Sequence, residues 1–210
     1  MNYSLIIENH QFELHPTGAL FWPGKKTLLI SDVHLGKVTH FRKFGAAVPP
    51  SLIRKNFELL DSVMDEFMPS HLYFLGDLFH SYLNNEWQLF ENWVAGKSED
   101  ITLVTGNHDI ISPLKYESIG IVSTEEYVVE NFYFTHEPSR KTGMFNISGH
   151  IHPAVRLKGK GRQSIKLPCF FKSQDQMILP AFGKFTGTHV LPVKNGNEVF
   201  ACTKTEVLKI

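Results

Sequence analysis

The chain has 210 residues, of which 42% are hydrophobic and 20% charged, as in ordinary globular proteins and unlike disordered or fibrous ones. Its 21 basic residues equal its 21 acidic residues, so no overall charge attracts nucleic acid or an anionic membrane, and a polyanion would need a local binding surface. We expect one domain over residues 1–210. The sequence has no basic leader and no long apolar run, which predicts a cytoplasmic protein without a membrane partner.

The first half of the chain predicts strands that alternate with amphipathic helices. Apolar residues recur every three or four positions between Pro50 and Phe67, which predicts a helix that Pro69 ends. Apolar runs such as TLLIS and HLYFL predict buried strands. In chain order, the predicted elements are strands at 4–8 and 11–14, a strand at 27–31 that runs into Asp32, a helix from Pro50, a strand at 71–75, a helix at about 84–95 and a strand at 101–105.

The second half predicts strands separated by turn residues. These strands are at 125–130, 132–137, 145–150, 154–158, 164–168, 176–182 and 199–203. An alternating half followed by a strand-rich half indicates an α/β fold, in which two sheets pack together and helices lie outside them. Cys169 and Cys202 lack the spacing of a metal site and are predicted to be reduced thiols in the core.

Polar residues lie at or just beyond the ends of the apolar runs of five predicted strands. In α/β folds, ligands bind at the carboxyl ends of the strands, so five such ends meeting at one rim would form a site. Taken singly, each residue also fits a strand-ending turn or a hydrogen-bonded structural histidine. The five residues are Asp32, Asp77, Asn107, His136 and His150.

Two of these residues belong to pairs of possible metal ligands. Asp32 and His34 flank Val33, and the two-residue period of an extended segment would place both side chains on one side; His150 and His152 repeat this spacing. Oxygen and nitrogen donors of this mixture suit Mn²⁺, Fe²⁺ or Zn²⁺, and the lack of cysteine ligands argues against a structural zinc site. The complete donor set is Asp32, His34, Asp77, Asn107, His136, His150 and His152.

Seven donors, one of them a carboxylate that bridges two metals, are the arrangement expected of a dinuclear hydrolase. Two cations about 3.5–4 Å apart would bind the phosphate oxygens and lower the pKa of a shared water, and the resulting hydroxide would attack phosphorus. His108 follows the candidate ligand Asn107 and is our candidate general acid, because imidazole has a suitable intrinsic pKa. The alternative is that His108 only hydrogen-bonds the substrate phosphate.

The order of the motifs DxH, GD, GNHD, H and GHxH, over residues 32–152, resembles that of the calcineurin-like metallophosphoesterases. The resemblance implies a four-layer αββα sandwich with two divalent metal ions. It also implies a catalytic role for His108 and a bridging role for Asp77. By the same match, the first metal would be bound by Asp32, His34 and His152, and the second by Asn107, His136 and His150.

Longer sequence segments indicate one subgroup within this family. SDVHLGKVTHFRKFGAAVP, GDLFHS, LPCFF and LPAFGKFTGTHV are similar to segments of the bacterial ligase-associated DNA-damage-response phosphodiesterases. This similarity implies a Mn²⁺-dependent endonuclease that acts on DNA in repair and is linked functionally to a DNA ligase, a helicase and an exonuclease. Two alternatives remain open: a small-molecule phosphodiesterase or pyrophosphatase acting on cyclic nucleotides or nucleotide-lipids, and a binding scaffold that has lost catalysis.

Three basic residues are candidates for binding the substrate. Lys37 and Arg42 lie just beyond the first metal motif and could contact phosphate, although a solvated loop face would explain them equally well. Lys184, in the glycine-flanked segment FGKFTG, could reach the rim of the site, and a plain loop is the alternative.

Three aromatic side chains near the motifs also have two interpretations. Phe41 and Phe44 could stack on a base, but core packing is the favoured interpretation in a chain with 17 phenylalanines. His80 is expected to support the site without ligating, because the seven donors already supply two metals.

Overall fold

The computed structural model describes residues 1–45, 47, 49, 51–80, 82–183 and 186–210, which form two sheets flanked by helices. Its elements, in chain order, are β1 (Tyr3–Ile7), β2 (His10–Leu14), β3 (Leu20–Trp22), β4 (Thr27–Ile30), α1 (Lys37–Lys43), α2 (Ser51–Phe67), β5 (His71–Leu75), α3 (Asn85–Ala95), β6 (Asp100–Val104), α4 (Pro113–Glu117), β7 (Val122–Thr124), β8 (Tyr127–Val129), β9 (Phe132–Phe134), β10 (Phe145–Ser148), β11 (Pro153–Lys158), β12 (Ser164–Lys172), β13 (Gln176–Ile178), β14 (His189–Val190), β15 (Glu198–Cys202) and β16 (Val207–Lys209).

The first sheet follows chain order from β1 to β7. Its first four strands pair antiparallel, and β4, β5, β6 and β7 pair parallel. The carboxyl ends of parallel neighbours lie at one edge of a sheet. The residues that follow β4, β5 and β6 are therefore brought side by side.

The second sheet has the order β14-β11-β12-β13-β10-β9-β8, and β15 and β16 extend it from β12. Its interior strand β10 pairs parallel with both β9 and β13. The remaining pairs are antiparallel except for the one between β11 and β14. As a result, β9 and β10 also present their carboxyl ends at a common edge.

An aromatic core joins the two sheets. The first sheet supplies Phe12 and Trp22, and the second supplies Phe132, Phe170 and Phe200, all of them buried. Burial of each large aromatic side chain removes its apolar surface from water and is the main source of cohesion between the sheets.

Two predicted helices cover the other face of the first sheet. The helix predicted from Pro50 forms as α2, which buries Leu60 and Met64 against Phe74 of β5, although Pro50 itself lies outside the described residues. The helix predicted at about 84–95 forms as α3, and its first turn is capped by the Asn84 side chain, which accepts a hydrogen bond from the backbone nitrogen of Glu86.

The predicted α/β fold is confirmed, as two mixed sheets with flanking helices. In the described part of the chain, however, no helix follows Glu117, so the outer face of the second sheet has no helical layer made of described residues. That face carries a smaller apolar cluster that includes Val155, Phe171 and Val199. None of the described helices has the length and apolar character of a membrane span.

The cysteines are buried and unoxidised, as the sequence predicts. Cys169 and Cys202 lie on the adjacent strands β12 and β15 and form no disulfide. Burial raises the pKa of the Cys169 thiol to about 12. Both side chains therefore contribute to the packing of the second sheet as small apolar groups.

Candidate metal centre

The predicted strand ends converge where the two sheets meet. Asp32 and Asp77 follow β4 and β5 of the first sheet, and His136 and His150 follow β9 and β10 of the second. Hydrogen bonds connect the two sides: the backbone nitrogen of His150 donates to Oδ2 of Asp32 over 3.0 Å, and Nδ1 of His136 lies 3.0 Å from the carbonyl oxygen of Leu75. The rim predicted from the sequence is therefore formed by both sheets.

One cluster of donors contains Asp32, His34 and His152, whose candidate ligand atoms lie within 4.8 Å of one another. Nε2 of His152 is 3.1 Å from Oδ1 of Asp32 without forming a hydrogen bond. Asp32 and His34 are buried, and the His152 side chain is 18% exposed. The structure thus brings together, in a first half-site, the three residues that the family resemblance assigns to one metal.

A second cluster contains Asp77, His136 and His150, again with ligand atoms within 4.8 Å of one another. Nε2 of His136 lies 3.3 Å from Oδ1 of Asp77 and 3.1 Å from Oδ1 of Asn107. Nδ1 of His150 lies 3.1 Å from Nε2 of His136. The amide oxygen of Asn107 is therefore in reach of this second half-site, where the motifs predict it.

Asp77 lies between the two half-sites. Its Oδ1 faces His136, while its Oδ2 is 3.9 Å from Nδ1 of His34 in the first half-site. The carboxylate is buried, and among the described residues it has no ion pair with lysine or arginine. A buried anion needs compensating positive charge, and cations in the two half-sites would provide it.

Two histidines of the first half-site have buried ring nitrogens without a hydrogen-bond partner in the described part of the chain, as expected of ligands for a divalent cation. Nδ1 of His34 and Nε2 of His152 are buried and have no hydrogen-bond partner among the described residues. Burial, and then the charge of Lys37, lower the pKa of His34 to about 2. Its imidazole is therefore neutral at physiological pH, which is the form that binds a metal.

The backbone at the site differs from the sequence prediction. Asp32 and His34, like His150 and His152, were expected on extended segments, and this expectation is wrong. Positive φ angles of 50–68° occur at five of the predicted ligands, namely Asp32, His34, Asp77, His150 and His152. Such a conformation costs roughly 1–3 kcal/mol in a residue other than glycine. It is held by backbone hydrogen bonds, including that from His34 nitrogen to the carbonyl oxygen of Asp77 at 2.9 Å.

Glycines in the motifs allow the chain to approach the carboxylates. A Cβ atom on Gly106 would lie 2.4 Å from Oδ1 of Asp77, and one on Gly149 would lie 2.5 Å from Oδ2 of Asp32. Real Cβ contacts are not this short, so any larger residue would displace the carboxylate. The glycines of the GNHD and GHxH motifs are therefore required by close packing against the proposed ligands.

His108 lies at the open side of the half-sites. It is exposed, its backbone nitrogen donates to Oδ1 of Asp77 over 3.0 Å, and its ring centroid is 6.0 Å from that of His34. His80 lies beside both rings, with centroids 5.2 Å from His34 and 4.6 Å from His108, and outside both clusters. Burial and the charge of Lys37 lower the pKa of His80 to about 4.

Two acidic residues that the sequence analysis did not single out hold the site in place. The carboxylate of Asp109 accepts hydrogen bonds from the backbone nitrogens of Phe79 at 2.9 Å and Gly106 at 2.8 Å, and burial raises its pKa to about 6. The buried carboxylate of Glu86 accepts hydrogen bonds from the backbone nitrogens of Gly36 at 2.8 Å and Thr39 at 2.9 Å. The position of Asp109 in the GNHD motif was the only available signal for either residue.

The basic candidates Lys37 and Arg42 lie in α1, which was not predicted as a helix. Lys37 is half-buried near Asp32 and Asp77, whose charges oppose the lowering of its pKa by burial. Arg42 is exposed. The third candidate, Lys184, lies outside the described residues.

The favoured interpretation of the two phenylalanines of this segment is wrong. Phe41 is 39% exposed and Phe44 is 74% exposed, so neither belongs to the core. Core packing was favoured because phenylalanine is usually buried. At this position, α1 turns only Val38 toward the interior.

The family of the chain is shown by its sequence, independently of the geometry of the two half-sites. The model for calcineurin-like phosphoesterases matches residues 25–195. The chain belongs to the calcineurin-like phosphoesterase family. As a calcineurin-like phosphoesterase, it is a metal-dependent phosphoester hydrolase, and its two donor clusters are candidates for the divalent metals that the family uses.

Solved structures resemble this calcineurin-like phosphoesterase to different extents. Pseudomonas putida nuclease MPE is 25% identical over 100% of both chains, with a TM-score of 0.82. The phosphoesterase Yfce of Escherichia coli is 15% identical, with 88% of this chain and 97% of that chain covered and a TM-score of 0.45. The comparison with curated proteins found no match.

Proposed function

We propose that the protein hydrolyses phosphodiesters at a dinuclear metal centre and that its substrate is DNA. The observation that carries the proposal is the position of Asp77, whose carboxylate lies 3.3 Å from His136 and 3.9 Å from His34. One carboxylate in reach of two clusters of nitrogen and oxygen donors favours a pair of metals over a single ion.

Each half-site would hold one cation, with Asp77 shared between them. The first would be bound by Asp32, His34 and His152, and the second by Asn107, His136 and His150. When bound, two divalent cations, which we propose to be Mn²⁺ in preference to Fe²⁺ or Zn²⁺, supply positive charge to the phosphate oxygens and acidify the water nucleophile.

The protein supplies the remaining groups of the reaction. His108 is exposed on the open side of the half-sites, next to the ligand Asn107, and would donate a proton to the leaving oxygen. Lys37 lies close enough to Asp32 and Asp77 to interact with their charges. Its ammonium group would therefore also attract a phosphate bound at the site. Arg42 remains a proposal for contact with phosphate, and Lys184 for contact with the substrate at the rim of the site.

DNA as the substrate is supported by the similarity to the nuclease MPE along the whole chain. The motif strings shared with ligase-associated phosphodiesterases further support a role in DNA repair in the cytoplasm, with a functional link to a DNA ligase, a helicase and an exonuclease. The neutral composition of the chain adds no support, because it places no excess positive charge on the molecule as a whole.

A panel of substrates tests the proposal. With Mn²⁺, the protein should hydrolyse bis-p-nitrophenyl phosphate faster than p-nitrophenyl phosphate and should nick supercoiled plasmid, and EDTA should stop both reactions. Diester hydrolysis without nicking would replace DNA by a small-molecule diester. No metal-dependent hydrolysis of any ester would identify a binding scaffold instead.

A further inference from the structure

Helix α1 presents an aromatic and basic surface to solvent. Phe41 and Phe44 are 39% and 74% exposed, and we call this pair the α1 aromatic face. The helix also carries the basic residues Lys37, Arg42 and Lys43, together with His40, and it contains no acidic residue. In a chain with equal numbers of acidic and basic residues, this is a local concentration of positive charge beside exposed rings.

The α1 aromatic face is connected to the candidate metal centre by a series of ring contacts. The ring of Phe44 lies 4.8 Å from that of His40, which lies 6.2 Å from His80, which in turn lies 4.6 Å from His108. His108 is exposed, and its backbone nitrogen donates to Asp77, which lies between the two half-sites. Phe44 is thus three ring-to-ring steps from His108, so a base a few positions along a strand bound at the half-sites would be in reach of it.

The helix that carries this face is held in place by hydrogen bonds to α3. The buried carboxylate of Glu86 accepts hydrogen bonds from the backbone nitrogens of Gly36 and Thr39 and, at 2.6 Å, from the hydroxyl of Thr39. Hydrogen bonds to a charged acceptor are stronger than those between neutral groups. Because the helix is already held in place, a ligand would lose little free energy in ordering it.

We propose that the α1 aromatic face stacks on an unpaired nucleobase a few positions from the scissile phosphate, while the basic residues of α1 face the sugar–phosphate backbone. The inference rests on the proposed action on DNA and specifies how the substrate is recognised. The occupant follows from complementarity: flat exposed rings match the face of a base, and adjacent positive charges match phosphates. Stacking of this kind tolerates all four bases, because each has a π-face.

The experiment compares two single strands of equal length with the Mn²⁺-loaded protein. One is an oligothymidylate, and the other is the same sugar–phosphate strand made of abasic residues. The ratio of kcat/KM on the two strands isolates the contribution of the bases. From wild type to Phe44→Ala, this ratio should fall about 5- to 150-fold, the range expected for one base–aromatic stack.

Three further variants separate stacking from other effects. Phe44→Trp should keep the ratio, since it retains a flat ring, and Phe44→Leu should lower it as alanine does, since it keeps apolar area without a π-face. Ile6→Ala removes another exposed apolar side chain, on the edge strand β1, and should leave the ratio unchanged.

The outcomes distinguish this inference from the proposed function. If the wild-type protein cleaves oligothymidylate and the ratio is the same in Phe44→Ala, stacking is overturned while DNA stays the substrate. A protein that hydrolyses bis-p-nitrophenyl phosphate but cleaves neither strand overturns DNA as the substrate, and the stacking role with it. A ratio that falls equally in Phe44→Ala and Phe44→Trp would also overturn stacking.

Discussion

At the scale of single residues, the Asp77 carboxylate is the group that the two half-sites share. We expect Asp77→Asn to weaken the binding of both metals and to abolish turnover, because the amide keeps the shape of the side chain and removes its negative charge. Removing a hydrogen-bond partner of a metal ligand typically lowers metal affinity by roughly 10- to 100-fold. Loss of the shared ligand itself should lower it by at least that much. Isothermal titration of the metal-free protein with Mn²⁺ measures the affinity and the number of sites.

The matched control for this substitution is Asp65→Asn on the exposed face of α2. It makes the same change of charge far from the donor clusters and should bind two equivalents of Mn²⁺ as the wild-type protein does. Binding of two equivalents by Asp77→Asn with unchanged affinity and near-normal turnover would contradict the shared position of the carboxylate.

The sequence predicted which side chains converge but not how the backbone presents them. Asp32 and Asp77 follow recognisable apolar strands, and strand ends in α/β folds meet at one edge. Their positive φ angles, in contrast, are held by backbone hydrogen bonds between neighbouring strand ends, such as that from Asp32 nitrogen to the carbonyl oxygen of Gly76 at 3.1 Å, which no local pattern encodes. Glu86 was missed for the same reason, since its partners Gly36 and Thr39 are 50 and 47 residues away along the chain.

At the scale of elements, three hydrogen bonds to Glu86 hold α1 against α3. Glu86→Gln replaces a charged acceptor by an amide that can accept at only one of its two ends. We expect the free energy of unfolding to fall by about 1–3 kcal/mol and turnover to fall as well, because Lys37 is carried by α1. Urea denaturation and Mn²⁺-dependent hydrolysis of bis-p-nitrophenyl phosphate measure the two effects.

Glu58→Gln, on the exposed face of α2, is the control for the loss of one negative charge, and we expect its stability and activity to stay close to wild type. If Glu86→Gln were as stable and active as this control, the three hydrogen bonds would have no part in positioning α1.

The elements that the sequence predicted are those that carry their own apolar pattern. In α2, apolar residues repeat along one face as far as Phe67, and the helix forms with Leu60 and Met64 buried. The short helix α1 has only one buried residue, Val38, and its hydrogen bonds to Glu86 take the place of an apolar stripe. A helix held by a distant carboxylate gives no periodic signal, which is why the sequence predicts no helix at this segment.

At the scale of the whole molecule, the alternation of strands and helices predicted the α/β class, while the order of strands in the second sheet could not be deduced. There, β12 pairs with β11, β13 and β15, and β10 lies between β9 and β13. Pairings between strands far apart in the chain depend on the packing of the whole core, and single-strand patterns do not specify them.

His15 links the first sheet to the helical layer and should make stability depend on pH. It lies between β2 and β3, its Nδ1 accepts a hydrogen bond from the backbone nitrogen of Thr17 at 3.3 Å, and its Nε2 is 3.3 Å from Oε2 of Glu66 on α2. Burial lowers its pKa below the ordinary value of 6.5, although the charge of Glu66 opposes the shift. The folded protein therefore holds His15 neutral in a pH range where the unfolded chain protonates it.

Since the unfolded chain binds this proton more readily, the stabilisation is complete above the unfolded pKa of about 6.5 and is lost as the pH falls from there toward the lowered pKa of the folded state. We expect the free energy of unfolding, measured in urea between about pH 5 and 7.5, to decrease on acidification less steeply in His15→Gln than in wild type. One proton limits the difference in slope to about 1.4 kcal/mol per pH unit. Both proteins are measured in the same metal state, so that the other titratable groups contribute equally to the two profiles. If the free energy of unfolding had the same pH dependence in both, His15 would keep its ordinary pKa in the folded protein.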